Sequence, residues 1–117
     1  MQNDSEQLAQ HISEAAAAMK AEGLRILDLR ALASFTDFFV VCSGASDRQV
    51  QAIADQVQEN LRAISRRPIG VEGYDAAQWI LLDYGSVVVH IFYPEAREFY
   101  QIEKLWADAP ELAAHGS

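Results

Sequence analysis

The sequence predicts a single α/β (α+β) domain in which a mixed sheet of about five strands has helices on its faces. Two apolar runs, at residues 37–42 and 87–92, are nearly continuous, as is typical of central strands covered on both sides. Two other segments, at residues 5–22 and 46–64, repeat apolar residues at helical spacing. A length of 117 residues with 50% apolar content suits one domain with a substantial core.

The charge balance limits the classes of partner. The chain has 17 acidic and 9 basic residues, a formal net charge of −8. This charge opposes strong direct binding to nucleic acid and favours a basic protein as partner. No apolar run reaches the length of a membrane helix, and the first residues lack a signal-peptide pattern, so we expect a cytoplasmic protein without membrane contact.

The first half of the chain alternates helix and strand. An amphipathic helix is predicted over residues 5–22, with Gly23 as its end. A strand is predicted over residues 24–31, and a wholly apolar one over residues 37–42. One cysteine cannot form an internal disulfide, so Cys42 is expected to be a small buried hydrophobe.

The second half begins with the most strongly patterned helix. Ser46 and Gln49 have the spacing of a capping box, and Pro68 prevents the helix from continuing. The elements predicted next are a short strand or extended loop at residues 69–73, strands at 79–84 and 87–92 joined by Gly85-Ser86, and a helix over 94–106. We expect residues 111–117 to fray, so that the core of the single domain, residues 1–117, spans about residues 5–110.

The strand at residues 79–84 predicts a binding surface. Alternation places Trp79, Leu81 and Asp83 on one side of the strand and Ile80, Leu82 and Tyr84 on the other. The large amphipathic rings of this region lie close to acidic residues in the sequence. They are Trp79, Tyr84, Tyr93 and Tyr100. Such rings among charges are what binding hot spots favour, although each ring alone is as often part of a core.

Signals for catalysis are weaker. The turn Ser43-Gly44-Ala45-Ser46 joins a strand to a helix and could bind an anion, so an enzyme that binds a nucleotide there is the alternative interpretation. The closely set carboxylates that would hold a metal for such chemistry are missing. The three histidines, His11, His90 and His115, are scattered and have no zinc-site spacing. His90 is better explained as a hydrogen-bonded strand residue than as a base paired with Asp83.

Arg66-Arg67 is the local exception to the acidic composition. Cations near the last turn of a helix interact favourably with the negative end of its dipole. The pair is therefore interpreted as closing the helix that begins near Ser46.

An ordered set of motifs runs through the chain: DFF at 37–39, SG at 43–44, SDRQ at 46–49, Trp79, LDYG at 82–85, VH at 89–90 and PEAREFY at 94–100. Together these motifs resemble the ribosomal silencing factor family, RsfS, also called Iojap. The resemblance runs from about residue 26 to residue 110.

The resemblance implies a nucleotidyltransferase-like fold without catalytic acids, and hence no enzyme activity, cofactor or metal. It implies a translational repressor that acts when nutrients are limited. Such a protein binds the large ribosomal subunit through ribosomal protein uL14, blocks joining of the small subunit, and forms a homodimer when free. Carried over by position, the partner-binding residues would be Trp79, Leu81, Asp83, Tyr84 and His90, with Tyr93, Glu95 and Arg97 near the rim. At Tyr93 the sequence departs from the histidine that family members often have.

Overall fold

The computed structural model describes residues 4–114, which form one α/β domain. The helices are α1 (Asp4–Ala18), α2 (Asp47–Arg62), α3 (Pro94–Tyr100) and α4 (Ile102–Leu105). The strands are β1 (Glu22–Asp28), β2 (Phe38–Ser43), β3 (Gly70–Glu72), β4 (Trp79–Asp83), β5 (Val87–Phe92) and β6 (Glu111–Leu112). Within these residues, no helix is long and apolar enough to span a membrane.

One mixed sheet organises the domain, as the sequence predicts. Its strand order is β3-β4-β5-β2-β1-β6, and every neighbouring pair is antiparallel except β2 and β5. All residues of β2 and β5 are buried, because helices cover both faces of the sheet centre. Cys42 in β2 is fully buried, and burial raises the pKa of its thiol to about 12.

Two cores lie on opposite faces of the sheet. The first is formed with α1 and α2 and includes Ile12, Ile53, Phe38, Ile80 and Leu82. The second is smaller and lies under α3 and α4; it includes Leu27, Phe39, Val41, Phe92 and Ile102. Because α3 and α4 are short, this second face is covered less completely, and Trp79 and Leu81 remain half-buried.

The first helix ends earlier than predicted, at Ala18 rather than near residue 22. Lys20 takes the left-handed conformation, with φ of 61°. Its amide donates to Ala17 O at 2.9 Å, and the Ala21 amide donates to Ala16 O at 3.1 Å, which is the Schellman pattern. Gly23 (φ 57°) therefore lies at the irregularity in register near the start of β1, between Glu22 and Arg25, rather than at the end of the helix.

The C-terminal region also differs from the prediction. The expected helix over residues 94–106 is broken at Gln101, where φ is 49°. Glu111 and Leu112, expected to fray, instead pair with β1 as a sixth strand, which extends the domain beyond residue 110. Residues 1–3 and 115–117, including His115, lie outside the described part of the chain.

Candidate functional site: an aromatic face of the sheet

The second face of the sheet carries the side chains predicted to bind a partner. Register pairs Trp79 with Phe92, Leu81 with His90 and Asp83 with Val88, and paired residues share a face. The structure therefore brings together Trp79, Leu81, Asp83 and His90 on the face opposite α1 and α2.

A hydrogen bond fixes the orientation of Trp79. Its indole Nε1 donates to Nδ1 of His90 at 3.1 Å. The Trp79 ring also lies 5.0 Å from the ring of Phe92 and 4.8 Å from that of Tyr100, measured between centroids. Trp79 is thus a half-buried aromatic side chain held in one position before any partner arrives.

His90 is a buried structural histidine. Its side chain is 4% exposed, and its ring lies 4.4 Å from the ring of Phe39. Burial lowers the pKa of His90 to about 4, so the imidazole is neutral near pH 7. Because Nδ1 accepts from Trp79, Nε2 carries the proton, and within the described residues that atom has no hydrogen-bond partner.

Asp83 does not act with His90. In the antiparallel register it lies opposite Val88, and its Oδ1 accepts a hydrogen bond from the Gly85 amide at 2.8 Å. This contact holds the β4–β5 turn. The pair predicted as a possible base and its orienting carboxylate is therefore not assembled.

A continuous series of ring contacts extends across this face, and we call it the aromatic ridge. It consists of Phe35, Phe39, Trp79, His90, Phe92, Phe99, Tyr100 and Trp106. Its outer members are strongly exposed: Phe35 by 61%, Phe99 by 79% and Tyr100 by 52%. Leu105 in α4 is exposed by 77%.

Sequence reasoning missed several of these residues. Phe35 belongs to a connector, and Phe99 and Trp106 belong to a segment predicted as one helix packed on the sheet. The helix is instead broken at Gln101, and Phe99 before the break and Leu105 after it are both exposed. Large apolar residues beside charged neighbours at 98–99 and 104–105 were the available signal.

Tyr84 and Tyr93 do not belong to the aromatic ridge. Strand parity directs the Tyr84 side chain into the core beside α1 and α2, where it is 7% exposed and burial raises its pKa to about 12. Tyr93 also packs against that core and lines a cleft with Ser46 and Gln78. Glu95 is exposed in the first turn of α3.

Arg97 is occupied by contacts within the protein. Its guanidinium donates to Glu103 Oε1 at 2.7 Å, to Ser43 Oγ at 3.0 Å and to Gly23 O at 2.8 Å. The hydrogen bond from Arg97 lowers the pKa of Glu103, which also accepts from Arg25. The network joins α3 and α4 to the sheet, so Arg97 positions the exposed residues of the ridge.

The Ser43–Ser46 turn is closed by its own hydrogen bonds. Gln49 N donates to Ser46 Oγ at 3.1 Å, as predicted for the cap, whereas Gln49 Oε1 accepts from Ala45 N at 2.7 Å. The Gly44 amide donates to Phe92 O, and a Cβ on Gly44 would lie 2.9 Å from Val50 N. These three amides are engaged within the protein and are not available to an anion, which weakens the nucleotide-binding alternative. Residues 4–114 contain no group of three or more side chains suited to a metal ion.

Comparison with known proteins shows which family has this sequence and fold. The sequence model described as "Ribosomal silencing factor during starvation" matches residues 2–116. The chain belongs to the ribosomal silencing factor (RsfS) family. It is 42% identical to the RsfS of Bacillus subtilis over 91 residues, which cover 78% of this chain and 77% of that protein. The RsfS of Haemophilus influenzae is 38% identical over 100 residues, covering 86% of this chain and 98% of that protein.

Solved structures agree with the RsfS assignment. A crystal structure of a Chromobacterium violaceum protein superposes with a TM-score of 0.87 at 32% identity, covering 97% of this chain and 93% of the other. One from Bacillus halodurans gives a TM-score of 0.82 at 36% identity, with coverages of 92% and 98%. The family name describes a regulatory, ribosome-associated role.

Proposed function

We propose that this RsfS protein binds the large ribosomal subunit through ribosomal protein uL14 and so prevents the small subunit from joining. In this role it represses translation in the cytoplasm when nutrients are limited. Family membership supports a ribosomal partner. The observation that carries the choice of surface is the aromatic ridge, which ends in strongly exposed rings on the least covered face of the sheet.

The ridge has the features of a protein-binding surface. Exposed rings lie at the two ends of the ridge, with the fixed, half-buried Trp79 between them, and binding hot spots are commonly fixed aromatic side chains of this kind. Because the Trp79 ring is already ordered by His90 and Phe92, docking loses little further side-chain entropy. Trp79, Leu81 and Asp83 therefore form the centre of the proposed contact, and the buried His90 holds the Trp79 ring in position beneath it.

Charge favours a basic partner. The chain carries a net charge of −8, and Asp83, Glu95 and Glu98 lie within or beside the segments that form the ridge. Opposite charge on the partner would raise the rate of encounter and select against acidic proteins. A basic ribosomal protein surface fits this requirement.

The mechanism needs no bond chemistry. A protein that occupies a surface required for subunit association competes with the small subunit by mass action. The extent of silencing then depends on its concentration and on its affinity for the large subunit.

We further propose that the free protein forms a homodimer, which light scattering over a concentration series would detect as a doubled mass.

Co-sedimentation with purified large subunits tests the proposed surface. The test variants are Phe99→Ser and Leu105→Ser. They remove one exposed apolar side chain next to Tyr100, the ring that contacts Trp79, and another in α4. The matched control is Ile69→Ser. Ile69 is 76% exposed and lies immediately before β3, two residues from Val71, which pairs with Leu82 on the face opposite Trp79. We expect the test variants to bind at least about tenfold more weakly, the effect of losing about 1.4 kcal/mol.

The control variant is expected to bind like the parent, and circular dichroism should show that all three variants are folded. Parent-like binding by both folded test variants would mean that another surface meets the ribosome. Repeating the binding experiment with a tagged uL14 fragment in place of the whole large subunit would separate binding to uL14 from binding to its neighbours.

A further inference from the structure

Three arginines surround a cleft at the end of α2, on the opposite side of the sheet from the aromatic ridge. Arg62, Arg66 and Arg67 line it together with Gln58 and Pro68, and its volume is about 300 Å³. All three arginines are exposed. In a chain of net charge −8, this is a concentrated positive site.

These arginines are not used to stabilise the fold. Within residues 4–114, the side chains of Arg66 and Arg67 form no ion pair, and Arg62 has only Glu59 at 3.7 Å. By contrast, Arg97 and Arg30 form ion pairs at 2.7 Å with Glu103 and Asp28. The cationic groups at the cleft are therefore available to a ligand.

The end of α2 does not require these side chains either. The Ser65 amide donates to Arg62 O at 2.9 Å, and the Arg66 amide donates to Leu61 O at 2.8 Å. With φ of 63° at Ser65, these two bonds form a Schellman motif that satisfies the last carbonyls through the backbone. The Arg66-Arg67 pair, predicted to close the helix, follows a helix end that is already closed.

The cleft lies beside the end of β4. The chain passes from Pro68 to Ile69, whose amide donates to Asp83 O at 2.6 Å. Asp83 is at the edge of the face that carries the aromatic ridge. A large partner that covers this face can therefore reach around the β4–β5 turn to the arginines.

We propose that Arg62, Arg66 and Arg67 bind phosphate groups of ribosomal RNA on the large subunit, as a second contact in addition to the protein contact of the aromatic ridge. This inference rests on the proposed function. Guanidinium groups recognise phosphate through paired hydrogen bonds. The cleft is lined by polar side chains and one proline, without the apolar centre of a protein interface, which favours an RNA backbone over an acidic protein.

The overall negative charge does not prevent such a contact. Charges separated by more than about 8 Å are largely screened at physiological ionic strength. The arginines therefore act on a nearby phosphate more strongly than distant carboxylates do. The net charge weakens binding to bare RNA without abolishing it at low salt, and the ridge contact orients the cleft on the intact subunit.

The test is the salt dependence of binding to purified large subunits. The variant is Arg66→Gln/Arg67→Gln, and the control is Arg48→Gln, an exposed arginine near the other end of α2. Each lost phosphate contact makes the negative slope of log K against log salt shallower by about 0.7 to 0.9. We expect the slope of the double variant to be shallower than that of the parent by about 1.4 to 1.8. If the two proteins bind equally at 1 M salt, the affinity of the variant at 0.1 M salt is lower by about 25- to 60-fold. The control should follow the parent.

A second arm uses RNA extracted from the large subunits, at low salt, with the same three proteins. The expected result is weaker RNA binding by the double variant than by the parent. An unchanged slope with intact subunit binding overturns the RNA contact and leaves the proposed function standing. The double variant could instead have a shallower slope on subunits but bind extracted RNA as the parent does. That result would mean that an acidic protein occupies the cleft, and it would also overturn the RNA contact. If the parent does not bind subunits, the proposed function fails, and equal RNA binding by parent and variant then overturns the phosphate site independently.

Discussion

Acid should destabilise this protein through His90. The folded-state pKa of His90 is lowered to about 4 by burial, from an ordinary value of 6.5. Between these two values the unfolded chain binds more protons than the folded one. Stability is therefore greatest above about pH 6.5 and decreases as the pH falls toward 4.

The size of the effect follows from the two pKa values. Linkage gives a loss in the free energy of unfolding of about 2 kcal/mol at pH 5 and about 3 kcal/mol at pH 4. The range between pH 7.5 and pH 5 is the best one to measure, because carboxylates with lowered pKa values, such as Glu103, titrate at lower pH. Over that range the response reports mainly on His90.

Urea unfolding followed by circular dichroism at pH 7.5, 6 and 5 measures this loss. His90→Gln should be less stable at pH 7.5 by about 1 to 3 kcal/mol, because the ring contact with Phe39 is lost, but its stability should change little with pH. The matched variant His11→Gln, at an exposed position on α1, should retain the parent's response. If His90→Gln loses stability on acidification as steeply as the parent, the buried neutral histidine is not the cause.

Two further predictions concern residues whose roles the structure specifies. Arg97→Ala should lower the free energy of unfolding by about 3 kcal/mol because it leaves Glu103 without its main partner, whereas Arg30→Ala, which breaks an exposed pair, should cost less than about 1 kcal/mol in the same urea titration. Parent-like stability with weaker subunit binding would instead make Arg97 a partner contact. Cys42 should not react with a thiol reagent at pH 8 until the protein is denatured, because it is fully buried and its pKa is raised to about 12; rapid reaction of the folded protein would contradict this.

The sheet and its two-sided character were predictable because they depend on local patterns. The continuous apolar runs of β2 and β5 match their complete burial, and the alternation in β4 separates Trp79 and Leu81 from Ile80 and Leu82 as the structure does. The family resemblance was also visible in the sequence. The pairing of residues 111–112 with β1 was not, because two residues have no periodicity and their pairing depends on a distant strand.

Exposed and buried aromatic residues could be separated only in part from the sequence. Parity alone assigns Tyr84 to the side opposite Trp79, yet its position at a turn suggested a surface residue. The resemblance implied that Arg97 lies near the rim of the partner surface, and nothing in its local sequence reveals Ser43, Gly23 and Glu103 as its hydrogen-bond partners. Phe35 and Phe99 required knowledge of how the connector and the broken helix lie on the sheet.

The sequence by itself determined the α/β class, the central strands and family membership, because periodicity and ordered motifs are properties of neighbouring residues. Only the tertiary structure decided which rings are joined in one ridge, which arginines are paired and which are free, and why His90 is neutral. Those properties depend on contacts between segments distant in the chain and on the burial that results from them.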